Sequence, residues 1–336
     1  MISRTGMLLA LMAVALLLVP SSCSAAEGSD SSYVSQLDEN GRSVYGSLSV
    51  FETSSDAVLE ITAGFPRTVL YPTEDAAKSA AAQTVNDALA AKYLSDPYGI
   101  WLWDLPVKSV EVVPEVAPMK IEGDQKAYYA ATSVSFKLSA PEKYQSDVVS
   151  ILDEVKKSAK TFDGSDSDKA KAIAKHLSGI SKEDGEGTVS DLYDAIVKRS
   201  ASSFGVAAAY TYLAGLNGLE AVTVKGLYYG TSDEGKSGCW NAVRTGDAWY
   251  AVDATKNMIM SGTGTKIGSA TFASSYSANL DMKDDNSLVP PEIGRTAYPY
   301  PDETPFLEKY GAHILVTLMV AVVLISLLYG VRKGYA

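Results

Sequence analysis

The sequence predicts an α+β protein: helices packed on an antiparallel sheet, preceded by a small α+β accessory module and ending in a C-terminal transmembrane helix. Three observations carry this reading. From 141 to 213 apolar residues recur at helical spacing, and from 219 to 254 they fall in strand-length runs separated by turn signals. Residues 43–138 mix both patterns on a smaller scale. Finally, 312–331 is an uncharged stretch of Leu, Val and Ile, long enough at about 1.5 Å per residue to cross a bilayer core of about 30 Å.

Composition narrows the function. The chain has 336 residues, 46% hydrophobic and 9% aromatic, enough for a core in about two domains. Lys and Arg total 29 against 40 Asp and Glu, a net charge of −11. That balance excludes a nucleic-acid partner, whose phosphates require a basic face. The two cysteines, Cys23 and Cys239, and two histidines, His176 and His313, are too few for a zinc cluster or a disulfide framework. No Gly-rich phosphate loop occurs, so no metal or cofactor is expected.

The elements follow in order. A basic start at Arg4, an apolar run from Met7 to Val19 and the small residues Ser24-Ala25-Ala26 read as a signal peptide, 1–26; Cys23 is read as incidental, with a lipid-modified cysteine as the alternative. Residues 27–40 are polar and read as a flexible leader. In the accessory module, 41–140, alternation at 47–51 and 58–62 predicts strands. The Ala-rich stretch 75–93, with Val85, Leu89 and Tyr93 on one face after Pro72-Thr73, predicts a helix. Asp96 to Trp103 ends it and opens a strand, and 107–113 and 127–138 are further strands. The main domain, 141–285, begins with helices over 141–162, 169–180 and 189–199. A fourth starts at Ser202 or Ser203 and stops at Gly215–Gly218. Strands follow over 219–229, 238–244 and 248–254, the last two joined by Thr245-Gly246-Asp247. A Pro-rich stalk, 286–311, leads to the membrane span, 312–331, and a cytoplasmic tail, 332–336. Arg332 and Lys333 mark the inner side, so the chain is expected to cross the cell membrane once with its N-terminal domain extracellular.

Three motifs carry a resemblance. The fourth helix reads Ser203-Phe-Gly-Val-Ala-Ala-Ala-Tyr210; the strands after it read Gly238-Cys239-Trp240-Asn241 and Trp249-Tyr250-Ala-Val-Asp253-Ala-Thr255. Together with Gly218, Gly226 and the run from Ala91 to Trp101, they resemble the transglutaminase-like family, which has a papain-like cysteine-protease fold. That resemblance implies a Cys at the helix start, a His on the first strand and an Asp on the second. The Cys is a thiolate nucleophile, and the Asp orients the imidazole. Here Ser203 stands at the Cys position and Gly238 at the His position; only Asp253 is kept. A hydroxyl without a base is barely nucleophilic, so the resemblance implies a catalytically inactive, membrane-tethered member.

Such a domain is expected to bind a protein or peptide, or a cell-envelope polymer, in the groove near Trp240, Asn241, Tyr250 and Cys239. Each of these residues also has a plain packing role. Strand alternation is read as turning Cys239 away from the site and into the core, and His176 as a boundary residue of its helix. One rival reading is an active amide hydrolase or acyl transferase using Ser203 or Cys239 with Asp253. Another is a structural envelope protein with no pocket function.

Overall fold

The computed structural model describes residues 32–102, 111–182, 191–229, 235–260, 266–267, 270–272, 288–294, 298, 316–317 and 319–321. The chain divides into two units, Met1–Tyr298 and Pro299–Ala336. The expected signal peptide, 1–26, lies outside the described residues. Most of the expected stalk and span and all of the expected tail do too; of the second unit only 316–317 and 319–321 are described, as helix, with Val316, Met319 and Val320 exposed. Among the described residues no helix is long and apolar enough to cross a membrane.

From Ser32 onward the segment read as a flexible leader is ordered. Tyr33 is fully buried and its hydroxyl donates to the carbonyl of Thr223 at 3.1 Å, 190 residues away. Leu37 is also in the core. A tyrosine in a polar stretch gives no periodic signal, so only the distant strand reveals its role.

Helix α1 spans Glu39–Ser47, started by Asp38, whose carboxylate accepts the amide of Gly41. A 3-10 turn, Leu48–Glu52, continues it. Val44, Leu48 and Phe51 are fully buried. Their spacing of four and three is helical, so the strand expected at 47–51 is a misread helix face. β1 (Val58–Gly64) keeps the expected alternation, burying Leu59, Ile61 and Ala63. It pairs antiparallel with β3 (Ala127–Ser139), which pairs on its other side with β2 (Val112–Lys120). β2 is an edge strand, which is why it tolerates Pro114 and Pro118, residues without a ladder N–H. The strand expected to open near Trp103 is a 3-10 turn, Ile100–Leu102, through its described residues.

α2 (Glu74–Ser95) starts where Thr73 accepts the amide of Ala76. It packs on β2 and β3 and also on a strand of a second sheet, β6 (Ala221–Tyr229), so residues 88–94 are buried all round. Alanine suits such a helix because small side chains let both layers approach. The two predicted modules therefore share one helix and one continuous core, within a single unit.

The expected long helix 141–162 is divided. A 3-10 turn, Glu142–Tyr144, precedes α3 (Val148–Ser158), which restarts where Asp147 accepts the amide of Ser150. α4 (Asp166–Leu177) opens with a reciprocal cap between Ser165 and Asp168. The helix expected at 189–199 narrows to a short turn ending in a five-residue π-helical stretch, Asp194–Lys198, and Arg199 closes it in the left-handed region at φ 59°. A short parallel pair, β4 (Ser181–Lys182) with β5 (Ser200–Ala201), leads into α5 (Ser203–Leu216). β6 (Ala221–Tyr229), β7 (Gly235–Thr245), β8 (Ala248–Asp253) and β9 (Met258–Met260) follow, then β10 (Lys266–Ile267) and β11 (Ala270–Phe272). They form one antiparallel sheet in the order β10-β11-β6-β7-β8-β9. The α+β class holds, with α5 lying on β6 and β7.

Candidate functional site

Ser203 is the first residue of α5, and Ser202 before it has the extended backbone of an N-cap. The positive end of the helix dipole therefore sits at the Ser203 hydroxyl, the place where a nucleophile's negative charge would be stabilised. The β7–β8 ladder runs from Thr245 to Asn241 and no further, while β7 continues along β6. The amide of Cys239, two residues beyond that point, donates to the Ser203 Oγ at 3.4 Å. The sequence thus brings its expected hydroxyl and its thiol residue together at the helix start.

Register assigns the faces. Asn241 donates through Nδ2 to the Ala207 carbonyl at 2.8 Å and to the Thr211 hydroxyl at 3.0 Å, so its side chain points at α5. Alternation puts Cys239 on that same face and Gly238 and Trp240 on the other. The expectation that Cys239 turns away from the site and into the core is therefore corrected: it lies on the α5 side, where Asn241 also points, and is half-buried.

Asp253 ends β8 directly after Val252, the ladder partner of Asn241, so it shares the face of Gly238 and Trp240. It is buried, accepts a hydrogen bond from Thr255 and pairs with Lys256 at 3.2 Å. Asp253 stands at the N-cap position of the 3-10 turn Ala254–Lys256, yet its side chain makes no capping bond there; the carboxylate is held by the Thr255 and Lys256 side chains. Asn241 is 1% exposed and belongs to a sealed network with Thr211 and Thr223, whose hydroxyls lie 2.9 Å apart. Trp240 and Tyr250 are buried as well, Tyr250 edge-on to Tyr298 at 5.0 Å. These three expected groove residues are packing residues. His176 is remote from them in its contacts: Arg199 reaches its Nε2 at 3.3 Å and its carbonyl at 2.9 Å, and Phe162 packs beside the ring. Burial first, then Arg199 and Lys160, lowers its pKa below the ordinary imidazole value. His313 lies outside the described residues.

Three groups near Ser203 escaped sequence reasoning. Tyr93 of α2 stacks on Phe204 at 5.4 Å, next to the site serine. Its hydroxyl is held far above the ordinary phenol range by burial, then by the charge of Asp191 and the thiol of Cys239. Tyr33 is raised in the same way, by burial and then Cys239. Both stay neutral in water at any ordinary pH. Asp191 is itself buried and accepts from the Tyr144 hydroxyl at 2.7 Å and from Lys143 at 3.2 Å. Burial raises its pKa above the usual carboxylate value and Asp194 adds to this, against the opposing Tyr144 bond and Lys143. Asp191 and Asp194 also cap each other's backbone amides. No motif marks these residues, because they come from three segments that meet only in the fold. Among the described residues no cluster of His, Cys, Asp and Glu is suited to a metal ion.

Comparison with known proteins adds little. No family model matches the chain, and no curated protein matches it. Among solved structures, one described as a "Putative Cysteine Protease" from Cytophaga hutchinsonii aligns at 13% identity and a TM-score of 0.26, over 44% of this chain and 64% of its own. A second, described as a TGase, aligns at 17% identity and a TM-score of 0.25, over 43% of this chain and 45% of its own. The chain spans less than two thirds of the length of either neighbour.

Proposed function

We propose that this chain is a membrane-tethered, extracellular transglutaminase-like domain that binds a protein, peptide or cell-envelope polymer without cleaving or cross-linking it. The observation that supports this reading most is at the start of α5. The Ser203 hydroxyl accepts the Cys239 amide, and no described imidazole contacts it. The carboxylate at the position of the family's Asp is held by Lys256 and Thr255. A serine needs a base to become a nucleophile, and loss of a nucleophile–base unit can cost about 10⁶ in rate, as in a subtilisin example. The test is hydrolysis and transamidation of fluorogenic peptide amides by the purified full-length protein. Rates at the buffer background are expected. A rate well above background that disappears in Ser203→Ala would overturn the proposal.

One observation favours a second reading. Cys239 lies on the α5 face beside Ser203, which gives an amide-hydrolase or acyl-transfer reaction a thiol at a helix N-terminus. Labelling with iodoacetamide at neutral pH separates the two. Slow labelling, like that of an unactivated thiol, fits a binding domain. Rapid labelling, with activity lost in Cys239→Ser, fits the enzyme.

A further inference from the structure

In a chain of net charge −11, one small surface gathers cations. Arg199 closes the π-helical stretch and reaches back to the last turn of α4. Its Nη1 donates to the Nε2 of His176 at 3.3 Å and its Nη2 to the His176 carbonyl at 2.9 Å. Lys160, exposed on the segment after α3, adds its charge beside the same imidazole. Lys175, also exposed, precedes His176 on α4. Arg199 and His176 are half-buried, so both are held in place and still open to solvent.

The bond to the His176 carbonyl is an ordinary contact at a helix C-terminus, where a cation suits the dipole. It does not account for the rest. A guanidinium carries five N–H donors, and Arg199 spends one on the ring and one on the carbonyl of His176. Among the described residues no carboxylate pairs with Arg199, His176 or Lys160, and the charges that act on the His176 ring are those of the two cations. Other bases of the chain find acids: Lys92, Lys143, Lys198, Arg244 and Lys256 each have one at 2.7–3.3 Å. Arg199 is also held at φ 59°, a left-handed backbone that is unfavourable for a residue with a Cβ.

The donors describe the ligand. The Arg199 Nη1 and the His176 Nε2 are 3.3 Å apart, close enough for both to address one anion. With Nε2 bare, His176 accepts from Arg199. A proton on Nε2 turns both atoms into donors with the same target, and Lys160 supplies a third charge. Repulsion among the cations disfavours that state until an anion enters. A carboxylate, with one charge and two oxygens, is satisfied by the arginine fork alone. A phosphate, with more oxygens and up to two charges, matches a guanidinium, an imidazolium and an ammonium together.

We propose that Arg199, His176 and Lys160 form a binding site for a phosphate group, free in solution or carried as a lipid headgroup, and that His176 takes up a proton as the phosphate binds.

The test follows the His176 ring, assigned with His176→Gln, by NMR through pH titrations of the full-length protein in dodecyl maltoside, with ionic strength fixed by chloride. Inorganic phosphate is expected to raise the His176 pKa saturably, by about half a unit or more. Arg199→Asn, whose side chain suits the left-handed backbone, and Lys160→Gln, at an exposed position, are each expected to weaken phosphate about fivefold. Phosphatidylglycerol mixed into the micelles without phosphate is the second probe. A rise with the lipid and not with inorganic phosphate marks a headgroup site, and a rise with inorganic phosphate marks a site for the free ion. Glu183, Asp184 and Glu186 follow Lys182 in the sequence and lie outside the described residues. The triple variant Glu183→Gln, Asp184→Asn, Glu186→Gln asks whether the chain supplies its own anion. A response of the parent like that of the triple variant is expected; a response of the triple variant alone overturns the proposal. It also fails if neither probe moves the His176 pKa more than chloride does, or if both single substitutions leave binding unchanged. None of these variants touches Ser203 or Cys239, so an amide-hydrolysis result there does not bear on this outcome.

Discussion

Asn241 allows the sharpest test of how the sheet is held under α5. Its amide donates to the Ala207 carbonyl at 2.8 Å, to the Thr211 hydroxyl at 3.0 Å and to the Val222 carbonyl at 3.4 Å, all in a region 1% exposed. Replacing it with leucine removes these donors but not all of their partners' options. The Ala207 carbonyl keeps Thr223 at 3.3 Å, and Thr211 keeps Thr223 at 2.9 Å. Nδ2 carries two N–H groups shared among these three acceptors, and two bonds at about 1 kcal/mol each give Asn241→Leu a cost of about 2 kcal/mol. In a unit of this size that is a fall in Tm of roughly 4–8 °C. Asn241→Asp places a carboxylate against two carbonyl oxygens with no cation, which costs about 3–5 kcal/mol at neutral pH. Burial and the carbonyls raise the pKa of the introduced carboxyl. Its penalty is therefore smallest at low pH, grows as pH rises above the unfolded value of about 3.9, and levels off once pH passes the raised value. Guanidinium unfolding of both variants at pH 4.5 and pH 7.5 measures this. If Asn241→Asp is no worse than Asn241→Leu at pH 7.5, or if the gap between them does not narrow at pH 4.5, the clamp argument is wrong.

Other predictions follow from single features. Gly218 sits at φ 75° with open space where a Cβ would go, so Gly218→Ala costs only the left-handed backbone, about 1–2 kcal/mol. Gly99 at φ 84° would drive its Cβ to 2.7 Å from the Phe51 carbonyl oxygen, so Gly99→Ala is expected to cost clearly more, and thermal melts of the pair check the order. Tyr33→Phe should cost about 1 kcal/mol through the lost bond to Thr223, and Tyr33→Ala about 3–5 kcal/mol. Neither should matter if residues 32–40 are a loose leader. The His176 pKa is lowered in the fold, so the unfolded chain takes up its proton first as pH falls. Stability should therefore rise with pH across the window ending near the unfolded value of about 6.5, and His176→Gln should flatten that rise in unfolding titrations.

The start of α2 was legible because it is local chemistry: Thr73 caps with a side chain three residues from its target. Asp147 and Ser165 cap in the same way, but the first lies inside the apolar pattern of 141–162, so the restart of α3 there was missed. The β7–β8 hairpin was legible for the same reason, since Gly246 at φ 61° lies inside Thr245-Gly246-Asp247. Leu48 and Phe51 were misread because five residues alone satisfy both a strand and a helix pattern. The site was legible only in part. Motif spacing picked out Ser203 and Cys239, which do meet, but it misjudged the side on which Cys239 stands.

What the sequence alone determined, then, are periodicity, caps, turns and the absence of sulfur and imidazole at two motif positions, all features contained within a few consecutive residues. The fold decided the rest. It carried Tyr33 to Thr223, placed α2 between two sheets, and gathered Tyr93, Asp191 and Cys239 around the start of α5. Such pairings join segments from tens of residues to 190 residues apart. Their energy comes from burying each against the other, and that surface does not exist until the chain has folded.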